Sequence, residues 1–311
     1  MVTFGPVPSR RLGNSLGINN IPVKKICSYS CIYCQVGITK HYSVKREVFY
    51  DPMKIYTEVE NQLNKIPEKP DYLTFVADGE PTLDINLGKS IEKLRPFGMP
   101  IAVITNASLL NDPEVRTELS LADWVSVKID VNEESSWKKL NRPHKDLSFD
   151  KYLEGLFFFS SIFKGKLASE TMLVQGLNDQ ADLIRSTATL IKQIQPFIAY
   201  ISVPTRPPAV SSVKKPSETT INTAYQIFKE AGLNTELLIG FEGVNTGYTG
   251  NAIDDIMDMC VVHPIREDTM EEILKKDRAD STILQLLIDG NYIKKVAYNG
   301  MFFYIRNLAK Q

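Results

Sequence analysis

Cys27-Ser-Tyr-Ser-Cys31-Ile-Tyr-Cys34 is the stretch on which the reading of this chain turns. Three thiols fall within eight residues, a CxxxCxxC spacing that a short loop can wrap round one metal centre. The number three carries the argument. Four thiolates saturate the irons of a ferredoxin-type [4Fe–4S] cluster, whereas three leave one iron open to an exogenous ligand. A zinc site is the alternative, but structural zinc takes four protein ligands in a closed tetrahedron, and His41 is the nearest residue able to supply the fourth. The last cysteine, Cys260, stands alone far downstream. That distribution is no disulfide framework, and it suits a reducing, cytoplasmic compartment in which thiolates stay available to metal.

Outward from the loop, short β-branched runs alternate with longer segments of helical period, the pattern of parallel βαβ units. Strands are expected at 16–21, 72–76, 101–105, 124–129, 167–174, 198–203 and 235–239, with helices between them. The clearest helical segments are 51–66, 148–163, 178–194 and 217–232. Asp51 before Pro52, Ser148, and Ser217 beside Glu218 supply N-caps, and Gly232 reads as a C′ glycine. Six or seven such units predict an α/β fold, a partial (βα)6-type TIM-like barrel whose chemistry gathers at the C-terminal ends of the strands. The unusual residues do fall there: the cysteines after the first strand, Asp78–Pro81 after the second, Asn106 after the third and Asp130 after the fourth.

With these residues in place, the sequence resembles the radical S-adenosylmethionine (SAM) superfamily, in which the same cysteine spacing is the defining motif. An aromatic residue commonly precedes the last cysteine, and Tyr33 occupies that position. The resemblance spans roughly residues 15–240. It implies that Cys27, Cys31 and Cys34 hold a [4Fe–4S] cluster and that the amine and carboxylate of SAM chelate the fourth iron. One-electron reduction, from an external donor of flavodoxin or ferredoxin type, then yields a 5′-deoxyadenosyl radical that abstracts hydrogen from substrate. Asp78-Gly79-Glu80-Pro81 looks like the family's Gly-Gly-Glu-Pro turn, with Asp in the first place, and Gly79 permits close backbone approach. Thr105–Asn106 looks like the family's Thr-Asn after the third strand, Lys128 and Asp130 fall where relatives place polar contacts to SAM, and the GLND at 176–179 is also family-like.

Three further segments, FGPVPSRRLGNSLGIN (4–19), LNRPH (140–144) and PTRPP (204–208), resemble the single-cluster iron–sulfur oxidoreductases related to the tRNA wyosine-base synthase. That synthase carries a second cluster and uses a lysine for pyruvate. Here only Cys260 remains, so a second all-cysteine cluster is excluded. Lys24, Lys25 or Lys128 could stand for such a lysine, although a surface or ion-pair role is commoner. Arg10, Arg11 and Arg206 are candidates for binding an anionic substrate group. His144 and His41 are candidate proton shuttles, and Cys260 is either a hydrogen-atom donor or an inert buried thiol. Lys128, His144 and Arg206 head the candidates for catalysis.

The chain has 311 residues, 43% apolar and 23% charged, and no apolar run approaches the ~20 residues of a membrane helix. MVTFGPVPSRRLGNS at the N-terminus lacks the apolar stretch of a secretory signal, again predicting a cytoplasmic protein. Net charge is −1, but residues 1–50 hold seven Lys or Arg against Glu47, a net of +6 that would favour SAM's carboxylate or a phosphate-bearing substrate. Near 245–252 the composition turns to Gly, Thr and Asn and reads as a linker, dividing a barrel domain (1–245) from a small second domain (252–311). That domain has three apolar-periodic segments and a hairpin signal at Asn299–Gly300, the plan of a winged helix. Its eight Lys or Arg against ten Asp or Glu favour substrate or partner docking over duplex DNA. The expected substrate is a macromolecule, tRNA or a peptide or protein. A small metabolite is the alternative, and a cluster-sensing DNA-binding regulator lacks its basic recognition helix.

Overall fold

β-branched and aromatic runs with both faces to bury become parallel strands here, each returned to the sheet by a helix. The computed structural model describes residues 2–22, 24–240 and 243–307. In chain order the strands are β1 (Thr3–Ser9), β2 (Gly13–Ile18), β3 (Ile26–Cys27), β4 (His41–Tyr42), β5 (Tyr72–Phe75), β6 (Ile101–Thr105), β7 (Trp124–Lys128), β8 (Lys166–Met172), β9 (Ile198–Ser202), β10 (Thr235–Leu238), β11 (Ile265–Arg266), β12 (Ile293–Tyr298) and β13 (Met301–Arg306). The helices are α1 (Pro52–Lys65), α2 (Leu87–Leu94), α3 (Pro113–Leu119), α4 (Glu134–Asn141), α5 (Phe149–Ile162), α6 (Ala181–Gln193), α7 (Glu218–Glu230), α8 (Ala252–Val262), α9 (Glu267–Lys276) and α10 (Ser281–Asp289).

One sheet runs β1-β2-β5-β6-β7-β8-β9-β10, parallel from β2 onward. Its six crossovers carry α1, α2, α3, α4 with α5, α6 and α7, which gives the expected curled (βα)6 half-barrel. Asp51, Ser148 and Ser217 each cap their helix through the side chain, and Gly232 takes the left-handed conformation, φ +82°. One strand was not expected. β1 pairs antiparallel with β2 although it contains Pro6 and Pro8; at a sheet edge, proline removes no needed ladder bond.

Alternation along the strands sorts the side chains. Val125, Val127, Leu167 and Ile201 face outward into the helix-packed core. On the inner face Leu12, Ala102, Trp124, Ala168, Ile198, Tyr200 and Leu238 form an apolar floor. Above it Ser126, Lys128, Glu170 and Ser202 surround a cavity. The floor also fixes the β1–β2 turn, since Leu12 in that turn is one of its members.

The C-terminal elements comprise α8–α10 and a second sheet, β11-β13-β12, whose hairpin lies at the expected Asn299–Gly300. β11 is too short to have shown a period. This unit shares a core with β1: Phe4 and Val7 pack with Ile256, Met259, Met270, Ile273 and Tyr304. The Gly/Thr/Asn stretch is stitched down, not loose. Gly247 N donates to Pro6 O at 2.5 Å, and Lys276 Nζ donates to Thr246 O at 2.7 Å. Cys260 sits in the shared core with its thiol pushed up to about 12 by burial, an inert position. No helix among the described residues is long and apolar enough to cross a membrane.

Candidate active site

The cysteine loop leaves the C-terminal end of β2 with little regular ladder, so its backbone is held by other segments. Ser30 N donates to Asn141 O at 3.0 Å, Ile32 N to Leu140 O at 2.9 Å and His144 N to Ser28 O at 2.7 Å. From another side Val210 N donates to Ile32 O at 2.9 Å. Leu140–His144 is therefore a clamp on the loop, and the chain following Pro204–Pro208 is a second. Each thiol also meets an N–H donor. Cys27 Sγ accepts from Tyr29 N at 3.4 Å and Asn106 Nδ2 at 3.6 Å, Cys31 Sγ from Asn141 Nδ2 at 3.5 Å, and Cys34 Sγ from Lys25 Nζ at 3.3 Å. Burial nevertheless pushes the Cys27 thiol well up and that of Cys31 to about 11. The chain's own field thus leaves deprotonation to a bound metal.

The turn after β5 forms the next wall. Gly79 has φ +145°, and a Cβ on it would lie 1.8 Å from Ile26 O at the base of the cysteine loop. Only glycine fits. Glu80 N donates to that same carbonyl at 3.1 Å. The Glu80 carboxylate gathers four donors: Thr82 N at 3.1 Å, Thr82 Oγ1 at 2.7 Å, Thr105 Oγ1 at 2.6 Å and Asn106 N at 2.7 Å. Glu80 thereby ties the β5 turn to the β6 turn, and the cavity sees the backbone those bonds hold in place. Asn106 Nδ2 continues the chain to Ser28 Oγ at 2.8 Å. Asp78 turns away from the cavity to Arg306.

Between these walls lies a cavity of about 280 Å³. It brings together Cys27, Cys31, Cys34, Tyr33, Gly79, Glu80, Thr105, Asn106, Lys128 and Arg206 of the sequence-derived candidates. Asp78, Asp130 and His144 do not line it. Asp130 is buried beside it, accepting from the Tyr33 hydroxyl, from Asn141 Nδ2 at 2.7 Å and from Met172 N at 2.8 Å, so it orients Tyr33 and Asn141. His144 works through its backbone, and its ring stands near Asp146. Asn178 of the GLND segment braces the strand ends, donating to Asp130 O at 3.0 Å and Met172 O at 2.9 Å.

Glu170 on β8 was not foreseen, and it organises the interior. Its carboxylate accepts from Lys128 Nζ at 3.0 Å and Ser202 Oγ at 2.9 Å, and it forms an ion pair with Arg11. Burial alone would raise its pKa, but Arg11 and Lys128 overcome this and hold it far below the usual range. Lys128 gains in turn: burial opposes its charge, yet Glu170 and Asp130 keep it protonated. That does not suit a Schiff-base lysine, which must be neutral to attack. At the rim Arg206 Nη1 donates to Gln35 Oε1 at 3.0 Å, and Nη2 lies 2.7 Å from His263 Nε2. With Arg11 paired to Glu170 and Arg46 to Glu118, the +6 of the first fifty residues is partly spent inside the molecule.

A cluster and SAM fit these residues on three counts. Three thiols from one loop share a cavity wall with donors already aimed at each sulfur, Gly79 lets the next turn close onto Ile26 at the base of that loop and line the same cavity, and Lys128 is held as a fixed cation beside them. Zinc fits less well. His41 is exposed, and no three His, Cys, Asp or Glu side chains among the described residues converge on a single ion.

The comparisons agree with the geometry. Residues 21–187, more than half of the chain, match the family model of the Radical SAM superfamily. The chain is 44% identical over 313 residues to the UPF0026 protein MJ1312 of Methanocaldococcus jannaschii, covering 100% of this chain and 97% of that one. A UPF0026 protein of Helicobacter pylori is 37% identical over 218 residues, 69% of each chain. The fold is similar to that of Streptococcus suis SuiB bound to S-adenosylmethionine, with TM-score 0.53 and 9% identity over 71% of this chain and 51% of that one. The chain belongs to the radical SAM superfamily and to its UPF0026 group, and it is an enzyme whose cofactors are a [4Fe–4S] cluster and S-adenosylmethionine.

Proposed function

We propose that this enzyme abstracts hydrogen from a macromolecule, a tRNA or a peptide or protein, that docks on residues 252–311. Cys27, Cys31 and Cys34 are the cluster ligands in this reading. Gly79, Thr105 and Asn106 present backbone and amide groups to SAM, and Lys128 offers its carboxylate a fixed cation. When bound and reduced by one electron, cluster and SAM supply the carbon radical that does the chemistry. Glu170 keeps Lys128 charged, and the apolar floor closes the cavity from below against water. A flavodoxin- or ferredoxin-like protein is the proposed electron donor.

The observation that carries the reading is where the C-terminal unit lies. It borders the cavity mouth: Gln35 Nε2 donates to Val262 O at 2.9 Å, Arg206 meets His263, and the Tyr298 hydroxyl donates to Pro204 O at 3.2 Å. Leu286, Tyr292 and Phe302 of this unit are 63%, 49% and 46% exposed, apolar side chains open to solvent that favour a peptide or protein over tRNA. A second reading, a small metabolite, is favoured by a further cavity of about 320 Å³ that shares the wall Val203–Arg206 with the first.

The test is 5′-deoxyadenosine formation by reduced holoenzyme alone, with tRNA, and with a peptide or protein fraction, in the wild type and in Leu286→Glu/Phe302→Glu. The macromolecular reading expects stimulation by one fraction and its loss in the double variant. Stimulation by a metabolite fraction that both proteins share equally would favour the second reading.

A further inference from the structure

A carboxylate in the first place of the SAM-facing turn, where the family pattern has glycine, needs a partner once it is buried. Arg306 of β13, 228 positions along the chain, provides one. Its Nη2 lies 2.9 Å from Asp78 Oδ2, and the two side chains are 5% and 0% exposed. Arg306 Nε and Nη1 and Asp78 Oδ1 are buried with no hydrogen-bond partner among the described residues, so Arg306 leans on Asp78, whose carboxylate is otherwise supported by the backbone of Lys25. Lys25 adds a favourable charge on the Asp78 side.

The turn has no slack with which to absorb a displacement of Asp78. Asp78 N is fixed to Asn19 Oδ1 at 2.8 Å, Gly79 is wedged against Ile26 O, and Glu80 spans to Thr105 and Asn106. A shift of the Asp78 carboxylate is therefore passed to the wall that faces SAM. At the other end, Arg306 sits in a strand paired over its whole length with β12, in a sheet that carries Tyr304 into the C-terminal core. Its position reports that of the unit.

We propose that Arg306 is a positioning residue for SAM binding, acting through Asp78 on the turn 78–81, so that SAM occupancy and the seating of the C-terminal unit are coupled. The proposal rests on the reading that this turn faces SAM. Coupling of this kind is reciprocal: what the unit does to SAM affinity, SAM does to the unit. A substrate that grips the unit then alters SAM affinity without touching SAM.

The experiment uses reconstituted holoenzyme, with SAM affinity from equilibrium dialysis and amide exchange of residues 301–306 with and without SAM. In the wild type, SAM slows exchange in β13. Arg306→Met leaves Asp78 buried and unpaired, so SAM affinity falls about ten-fold or more while iron content is unchanged. Asp78→Gly/Arg306→Met removes both charges and restores the family glycine. It binds SAM more tightly than Arg306→Met does, yet exchange in β13 no longer responds to SAM. Should Arg306→Met fail to fold, this double variant still decides the matter, because continued protection of β13 by SAM in it would overturn the proposal. So would wild-type affinity in Arg306→Met. Wild-type holoenzyme that bound no SAM would instead sink the reading of the turn itself, a distinct result.

Discussion

Glu170 faces Arg11 from the β1–β2 turn and Lys128 from β7, so replacing it changes the sign of the barrel interior. Glu170→Gln leaves two part-buried cations side by side and is expected to cost up to ~3 kcal/mol in urea unfolding, with SAM binding weakened as Lys128 loses its anchor. Gly79→Ala places a Cβ against Ile26 O. Its expected effect is a loss of SAM cleavage of at least about ten-fold, for about 1.4 kcal/mol or more of displaced cradle, while Glu80 still ties the two turns together. The two residues differ in how they could be read. Gly79 stands in a four-residue motif beside its partners, so the sequence exposes it. Glu170 lies in a strand of plain period two, and its meaning depends on Arg11, 159 residues away in sequence. Asp130 was legible as unusual but not as the support of Tyr33 and Asn141, because its partners come from three separate elements.

At the scale of elements, the strands and longer helices declared themselves through period and caps, β6 to the residue. Helices α3 and α4, of seven and eight residues, are too short to show a clear face; α2 does carry Leu87, Ile91 and Leu94 on one buried face but spans only two turns, and β1 contains two prolines. LNRPH and PTRPP were visible as segments, but the hold on the cysteine loop by LNRPH and by Val210, just after PTRPP, is made of backbone bonds that no side-chain pattern records. α3 brings a testable titration. Glu118 pairs with Arg46, which also donates to Thr82 O at 3.0 Å and Asp84 O at 3.1 Å just beyond the turn 78–81. Burial raises Glu118 from 4.5 to about 7 against the pull of Arg46. Between those values the folded chain keeps a proton that the unfolded chain releases, so this group's contribution to stability falls as pH rises through the window. Glu118→Gln is expected to flatten the fall in melting temperature between about pH 4.5 and 7, and an unchanged slope would refute the assignment.

For the whole molecule, the composition of residues 245–252 reads as a linker, yet Gly247 and Thr246 are bonded to β1 and α9, and the C-terminal unit completes the core over Phe4 and Val7. A Gly/Thr/Asn stretch looks the same whether it is free or pinned, since the pinning comes from distant partners. Deleting residues 251–311 is expected to uncover the apolar side of β1 and to lower the melting temperature or cause aggregation, which light scattering would detect; a truncated protein as stable as the full chain would contradict the shared core. Substrate docking is therefore better probed by surface substitutions than by truncation. A single cluster on three cysteines is what would open SAM to reduction, and 5′-deoxyadenosine release by anaerobically reconstituted, reduced protein tests it. Wild type and Cys260→Ala are predicted to release it at similar rates and Cys31→Ala to release none, whereas release by Cys31→Ala, or none by the wild type, would contradict the account.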